Sequence, residues 1–253
     1  MKHKIITFGE LMLRLSPDNN ERFTQAHSYE AVYGGGEANT AVSLANFNVD
    51  TRYVTKLPKH TIGQSAVNSL RQYGVDVSRI VRGGDQIGIY FLEKKTSQRP
   101  TNVIYNRNGS AFALATKEDF DWDSIFDGAT WFHFSGITPA ISDNMAEITI
   151  EACKEAKKRG ITVSCDLNYR SKLWSSEKAN KVMSEVCRYV DICIANEDDA
   201  VGIFGMDASK SDKEKNAYIA EELTKMFPNF KMVASVWRTE TSITTFKLQS
   251  MIY

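Results

Sequence analysis

Net charge is the first thing this 253-residue sequence lacks: 31 lysines and arginines balance 31 aspartates and glutamates. A neutral chain has no electrostatic case for nucleic acid or an anionic membrane, although local basic spots can still hold a small anion. No apolar run approaches the ~20 residues of a membrane span. The opening Met1-Lys2-His3-Lys4-Ile5-Ile6 runs directly into a strand-like segment, with no leader pattern ahead of it. Cysteine is scarce: Cys153, Cys165, Cys187 and Cys193 form no Cys-x-x-Cys pair. Cys165 and Cys193 fall inside apolar runs, where a reduced, buried thiol is expected. A cytoplasmic protein without structural disulfides follows. The four histidines are scattered and indicate no zinc site. Internal repeats, a Gly-x-Ser-x-Gly elbow and a Gly-x-x-x-x-Gly-Lys-Ser/Thr phosphate loop are also missing.

What is there is enough apolar residue, 42%, to bury a core. Strand-like and helix-like runs alternate. Residues 4–8 read as a strand and 37–47 as a helix with Ala38, Ala41, Val42 and Ala45 on one face. Residues 51–55 are β-rich, and 62–73 form a helix closed by Gly74. Two β-rich runs, 87–94 and 102–107, then follow with no helix between them, which predicts a hairpin. With the extended runs 11–15 and 22–32 they can build a small second sheet. Alternation resumes with strands over 130–134, 161–165, 190–195, 231–236 and 242–246, and helices over 143–159, 177–188 and 214–227. Ser142 is the expected cap of the 143–159 helix. This order favours a mostly parallel sheet covered by helices.

Ligands of such sheets collect beyond the carboxyl ends of the strands. Gly9-Glu10 follows the first strand, and Gly34-Gly35-Gly36-Glu37-Ala38-Asn39 opens the first helix. The glycines allow close backbone approach to a ligand and Asn39 can bind hydroxyls; a tight turn with no ligand is the plainer alternative. Tyr90, Tyr105 and Arg107 lie in the hairpin. Residues two apart share a strand face, so Tyr105 and Arg107 point one way, and an arginine fork can grip a carboxylate. Taken alone, an exposed face carrying aromatic and basic residues is the favoured explanation of them. Asp166-Leu167-Asn168-Tyr169-Arg170 and Asn196-Glu197-Asp198-Asp199 each follow a strand. Arg170 can meet a phosphate and Asn168 a nucleotide or hydrated ion, while the three acids either organise magnesium or favour a helix N-terminus.

The stretch Gly34-Gly35-Gly36-Glu37-Ala38-Asn39-Thr40-Ala41 resembles the N-terminal signature of the ribokinase-like (PfkB) carbohydrate kinases. With residues 6–12, Gly88-Ile89-Tyr90-Phe91, Tyr105-Asn106-Arg107 and residues 166–170, the chain is similar to 2-keto-3-deoxygluconate kinases from about residue 4 to about residue 236. The resemblance implies a three-layer α/β/α domain over residues 1–253, C-terminally truncated, with a small β-sheet lid from about 11–33 and 86–108 that often forms a dimer interface. It implies ATP with Mg2+, and transfer to the 5-hydroxyl of 2-keto-3-deoxygluconate, giving 2-keto-3-deoxy-6-phosphogluconate. Gly34, Gly35, Asn39, Tyr90, Tyr105, Arg107 and Arg170 would face the sugar acid. Asn168, Asn196, Ser235, Arg238 and Glu240 would lie toward ATP. Asp199 stands where the family's Asn-x-x-Glu motif has glutamate, as a metal ligand shorter by one methylene.

One departure is larger. Nothing here matches the family's later Gly-Ala-Gly-Asp-like segment, whose aspartate activates the substrate hydroxyl, so no catalytic base is assigned. A kinase that is inactive as this chain alone is the resulting expectation. The rivals are a fructokinase or other sugar kinase, a non-catalytic sugar-acid binding protein, and a nicotinamide dehydrogenase. Against the last, the glycines do not follow the first strand as Gly-x-Gly-x-x-Gly.

Overall fold

The computed structural model describes residues 3–96, 98–207, 212–240, 242 and 245–253, with the backbone alone at 212–214 and 240. The chain divides into two compact units, Met1–Asp127 and Gly128–Tyr253.

The first unit runs β1 (Lys4–Phe8), β2 (Met12–Pro17), β3 (Tyr29–Gly34), α1 (Gly36–Asn46), β4 (Asp50–Val54), β5 (Lys56–Leu57), α2 (Thr61–Arg71), β6 (Val81–Arg82), β7 (Ile89–Glu93), β8 (Asn102–Asn106) and α3 (Trp122–Ile125). β1 and β4 pair in parallel, with Ile6 opposite Arg52. The connection between parallel strands has to cross over, and α1 supplies the last part of that crossing. Ala38 and Ala41 let α1 approach closely, and they join Tyr53, Leu57, Ala66 and Leu70 in the core. The Tyr53 hydroxyl, fully buried, is satisfied by donating to the Gly9 carbonyl at 2.8 Å. β3, β2, β7 and β8 form a separate four-stranded sheet in that order. β7 and β8 are the antiparallel hairpin expected from two β-rich runs, with Tyr90 opposite Tyr105. The extended run expected over 22–32 becomes a strand only at Tyr29. Before it, Gln25 and Ala26 both donate to the Arg22 carbonyl, so the polar stretch closes into turns.

The second unit runs β9 (Trp131–Ser135), α4 (Ile137–Ala140), α5 (Asp143–Lys158), β10 (Thr162–Asp166), α6 (Ser176–Cys187), β11 (Ile192–Ile194), α7 (Glu197–Phe204), α8 (Asp212–Met226), β12 (Met232–Glu240) and β13 (Phe246–Ile252). β9, β10, β11 and β12 are parallel neighbours, and β13 returns antiparallel to β12. Ser142 caps α5 by accepting from the Met145 amide, and Gly160 beyond its end has φ of 70°. The strand expected over 242–246 lies partly outside the described residues. Ser242 and Thr245 instead bond each other, and the strand begins at Phe246.

All four cysteines are free and buried. Among the described residues no helix is long and apolar enough to cross a membrane.

Candidate functional site

Two groups of polar side chains stand at strand ends, one in each unit. In the first unit the turn from β3 into α1 is made of Gly34, Gly35 and Gly36. A side chain at Gly35 would fall 2.2 Å from the Glu10 carbonyl oxygen, so this turn and the segment after β1 touch through backbone alone. Asn39 donates its amide to the Gly35 carbonyl at 2.8 Å and keeps its side chain exposed. A side chain at Gly34 would lie 3.8 Å from Asn39 Oδ1 and 3.9 Å from the Tyr90 hydroxyl, which brings these three residues to one spot. The Tyr90 ring packs against Tyr105 across the hairpin with centroids 5.8 Å apart. The Arg107 guanidinium stands 5.8 Å from the Tyr105 ring centroid. Gly34, Asn39, Tyr90, Tyr105 and Arg107 are therefore one continuous group.

Within it, Arg107 differs from the decorated-face alternative. Tyr105 is half exposed, but Arg107, just past the end of β8, is only 6% exposed. Its Nε donates to Glu10 Oε2 at 2.8 Å, and Nη2 meets the same oxygen. Glu10 Oε1 accepts from the Ser110 hydroxyl at 2.5 Å. Ser110 is held in turn by its own amide, bonded to the Arg107 carbonyl at 3.0 Å. Any side chain at Gly88 would strike Glu10 Oε1 at 2.5 Å, so glycine there makes room for the carboxylate. Burial pushes the Glu10 carboxyl above the ordinary range, while Arg107 and Ser110 draw it back down. Glu10 and Ser110 were not singled out from the sequence as site residues, because they lie 97 and 3 positions from Arg107 and only the fold joins them. A groove of about 480 Å³ lies beside the turn, with Gly34, Asn39, Tyr33, Val42, Ser69 and Tyr73 among its walls.

In the second unit, Asn196 and Asp199 form a reciprocal cap at the start of α7. The Asn196 side chain accepts from the Asp199 amide at 2.9 Å, and Asp199 Oδ2 accepts from the Asn196 amide at 3.1 Å. Asp199 Oδ1 accepts from the Tyr169 amide at 2.6 Å. Asp199, expected as a metal ligand, thus directs both carboxylate oxygens at backbone N–H groups. Burial raises its pKa, against the Tyr169 and Asn196 amides and nearby Arg170, which lower it. Asn168 holds φ of 38°, a left-handed conformation that asparagine tolerates. The Tyr169 ring crowds Gly202 of α7, where a Cβ would approach it to 2.4 Å. Arg170 is exposed, and its Nη1 donates to the Tyr169 carbonyl at 3.4 Å.

A cavity of about 290 Å³ opens beside this cap, lined by Asn196, Glu197, Asp198, Lys215, Asn216, Val236, Trp237 and Arg238. Lys215 Nζ lies 2.8 Å from Glu197 Oε2. Arg238 stacks its guanidinium 4.7 Å from the Phe246 ring centroid. Of the residues expected toward a nucleotide, Asn196 and Arg238 line this cavity, whereas Asn168 does not and Ser235 is fully buried in β12. The Glu240 side chain lies outside the described residues. Lys215 and Asn216 escaped the sequence reading because α8 carries no motif, and only its position brings them to the cavity. Among the described residues no three His, Cys, Asp or Glu side chains could hold a metal ion.

The pattern described as "pfkB family carbohydrate kinase" matches residues 2–229. A 2-dehydro-3-deoxygalactonokinase of Haloferax volcanii is 37% identical over 209 residues, 82% of this chain and 65% of that protein. A 2-dehydro-3-deoxygluconokinase of Bacillus subtilis is 29% identical over 70% of this chain and 55% of its own length. The chain therefore spans less than two thirds of these relatives. The crystal structure of a 2-dehydro-3-deoxygluconokinase from Thermotoga maritima superposes with a TM-score of 0.95 at 47% identity, covering 100% of this chain and 77% of that one.

Proposed function

Because this chain belongs to the pfkB family of carbohydrate kinases, we propose that it holds the substrate and nucleotide of an ATP-dependent kinase acting on a 2-keto-3-deoxy sugar acid, foremost 2-keto-3-deoxygluconate. The observation that carries this reading is the cation at the end of the tyrosine-lined group. A neutral sugar needs hydroxyl partners such as Asn39, Tyr90 and Tyr105, but offers no carboxylate to the guanidinium of Arg107 beside Tyr105. A sugar acid uses both. The names of the B. subtilis and T. maritima proteins agree with the gluconate form, and the H. volcanii name favours its galactonate epimer as a second reading.

In this reading Asn196, Lys215 and Arg238 bind ATP in the cavity beside α7, and the exposed Arg170 is a further cation open to an anionic group. Mg2+ would be held chiefly by phosphate oxygens and water, as that ion usually is. Asp199 then serves by fixing two loops and not as a ligand. The acceptor is the terminal 6-hydroxyl: a 6-phospho product carries its phosphoryl group on that oxygen, so the 5-hydroxyl expected above does not balance. The lid strands would meet a second copy through β8, where Ile104 is exposed on the face opposite Tyr105.

Calorimetric titration with 2-keto-3-deoxygluconate, its galactonate epimer and fructose tests the reading. Both acids are expected to bind at least tenfold more tightly than fructose, and Arg107→Met is expected to abolish that preference. Equal binding of fructose and the acids would rule the reading out.

A further inference from the structure

We propose that Glu10 is the positioning residue of this group: it clamps the Arg107 guanidinium side-on, so that only its terminal edge can meet the carboxylate of a sugar acid. The inference rests on the functional reading above and goes beyond it, since it says how the cation is aimed. A guanidinium offers two edges that can each face a carboxylate, one made of Nε and Nη2 and one made of Nη1 and Nη2. Glu10 Oε2 takes the first, at 2.8 Å from Nε and in contact with Nη2. Nη1 has no partner among the described residues.

The clamp is itself built. Glu10 is 4% exposed and Arg107 6%, so neither swings into solvent. Ser110 fixes the other carboxylate oxygen at 2.5 Å. Gly88 leaves the space that oxygen occupies, and Gly35 lets the neighbouring backbone close over Glu10. A carboxylate with both oxygens engaged and no room to rotate holds the arginine in one orientation. The geometry also counts charge. Glu10 balances Arg107, so an arriving sugar acid meets a neutral pair and gains from orientation more than from net attraction.

Glu10→Gln keeps the shape and one acceptor oxygen but removes the charge, and it sets an N–H2 donor against either Arg107 or Ser110. Calorimetry with the full 253-residue chain should show 2-keto-3-deoxygluconate binding weakened at least tenfold, with fructose changed less than twofold. In an Arg107→Met background the same change should add less than a further twofold, because Glu10 then has nothing to aim. NMR of the arginine Nε–H signals gives a readout independent of ligand: the Arg107 signal should exchange slowly in the wild type and lose that protection in Glu10→Gln, while the signal of Arg52, bonded to Asp76, stays unchanged. If Glu10→Gln does not fold, Ser110→Ala, which frees one oxygen and leaves both charges, should weaken the acid about threefold and leave fructose alone. Unchanged or tighter acid binding in a folded variant, equal effects on acid and fructose, or full additivity with Arg107→Met would each overturn the inference while the functional reading stands. A wild-type chain indifferent to the acid would sink the functional reading, and this inference with it.

Discussion

His133 in β9 shares one hydroxyl with a neighbour: its Nδ1 lies 2.9 Å from Ser164 Oγ, and Trp131 Nε1 donates to the same oxygen at 2.7 Å. Ser164 Oγ can donate to the neutral imidazole or accept from the charged one, so the hydroxyl does not choose between them. Burial does, and it lowers the His133 pKa to about 4. A folded-state pKa below the unfolded value means that the native protein binds fewer protons. The stability from a neutral His133 is full above pH 6.5 and is lost as pH falls toward 4. The loss amounts to at most about 3 kcal/mol. Denaturant melts of wild type and His133→Asn at pH 7 and pH 4.5 check this: the wild type should lose more stability over that interval than the variant. Asp199 makes the opposite case, a carboxylate whose function is to accept. Asp199→Asn leaves one oxygen for two amides and turns an N–H toward the other, at a cost of about 1–3 kcal/mol. Hydrogen exchange should then quicken at Tyr169 and Asn196 before it changes elsewhere, and uniform exchange across the unit would contradict the assignment.

At the scale of elements, the start of α1 offers a paired test. At Gly35 a Cβ would meet the Glu10 carbonyl oxygen at 2.2 Å, whereas at Gly36 it would meet nothing within 4 Å. Gly35→Ala should cost at least ~2 kcal/mol, since neither contacting backbone can yield cheaply. Gly36→Ala should stabilise by roughly 0.5 kcal/mol through the lost glycine entropy. Thermal midpoints that move alike for both would contradict this account. Elements were legible where the signal is local. The helix expected over 143–159 is α5, Asp143–Lys158, because its cap, its apolar stripe and Gly160 all lie in the sequence itself. β11 was expected over 190–195 and ladders only over Ile192–Ile194, since strand ends depend on what the partner strand offers. The spot shared by Gly34, Asn39 and Tyr90 was readable as separate candidates. The burial of Arg107 was not. Period two gives the side of a strand, and says nothing of a glutamate 97 residues away that draws the side chain inward.

For the whole molecule, the four cysteines make a simple probe of integrity. Burial raises the pKa of Cys153, Cys165, Cys187 and Cys193 above the ordinary thiol value. Thiolate is the reactive form, so the native chain should leave all four untouched by an aromatic disulfide reagent and expose all four in denaturant. A fast-reacting thiol in the native state would mean that the second unit opens locally. Family membership and the order of elements were legible at this scale because an ordered set of motifs runs along most of the chain. The cavity beside α7 was not, since Lys215 and Asn216 reach it only through the course of α8.

One carboxylate, Asp199, holds both the Tyr169 and the Asn196 amide, and so ties the loop after β10 to the loop after β11. That link constrains anyone recombining this protein with its kin. A chimera that imports glutamate at 199 with its own loop would push the Tyr169 amide outward by one methylene unless the 166–170 loop came with it. The two loops are a single heritable part, to be exchanged together or left alone.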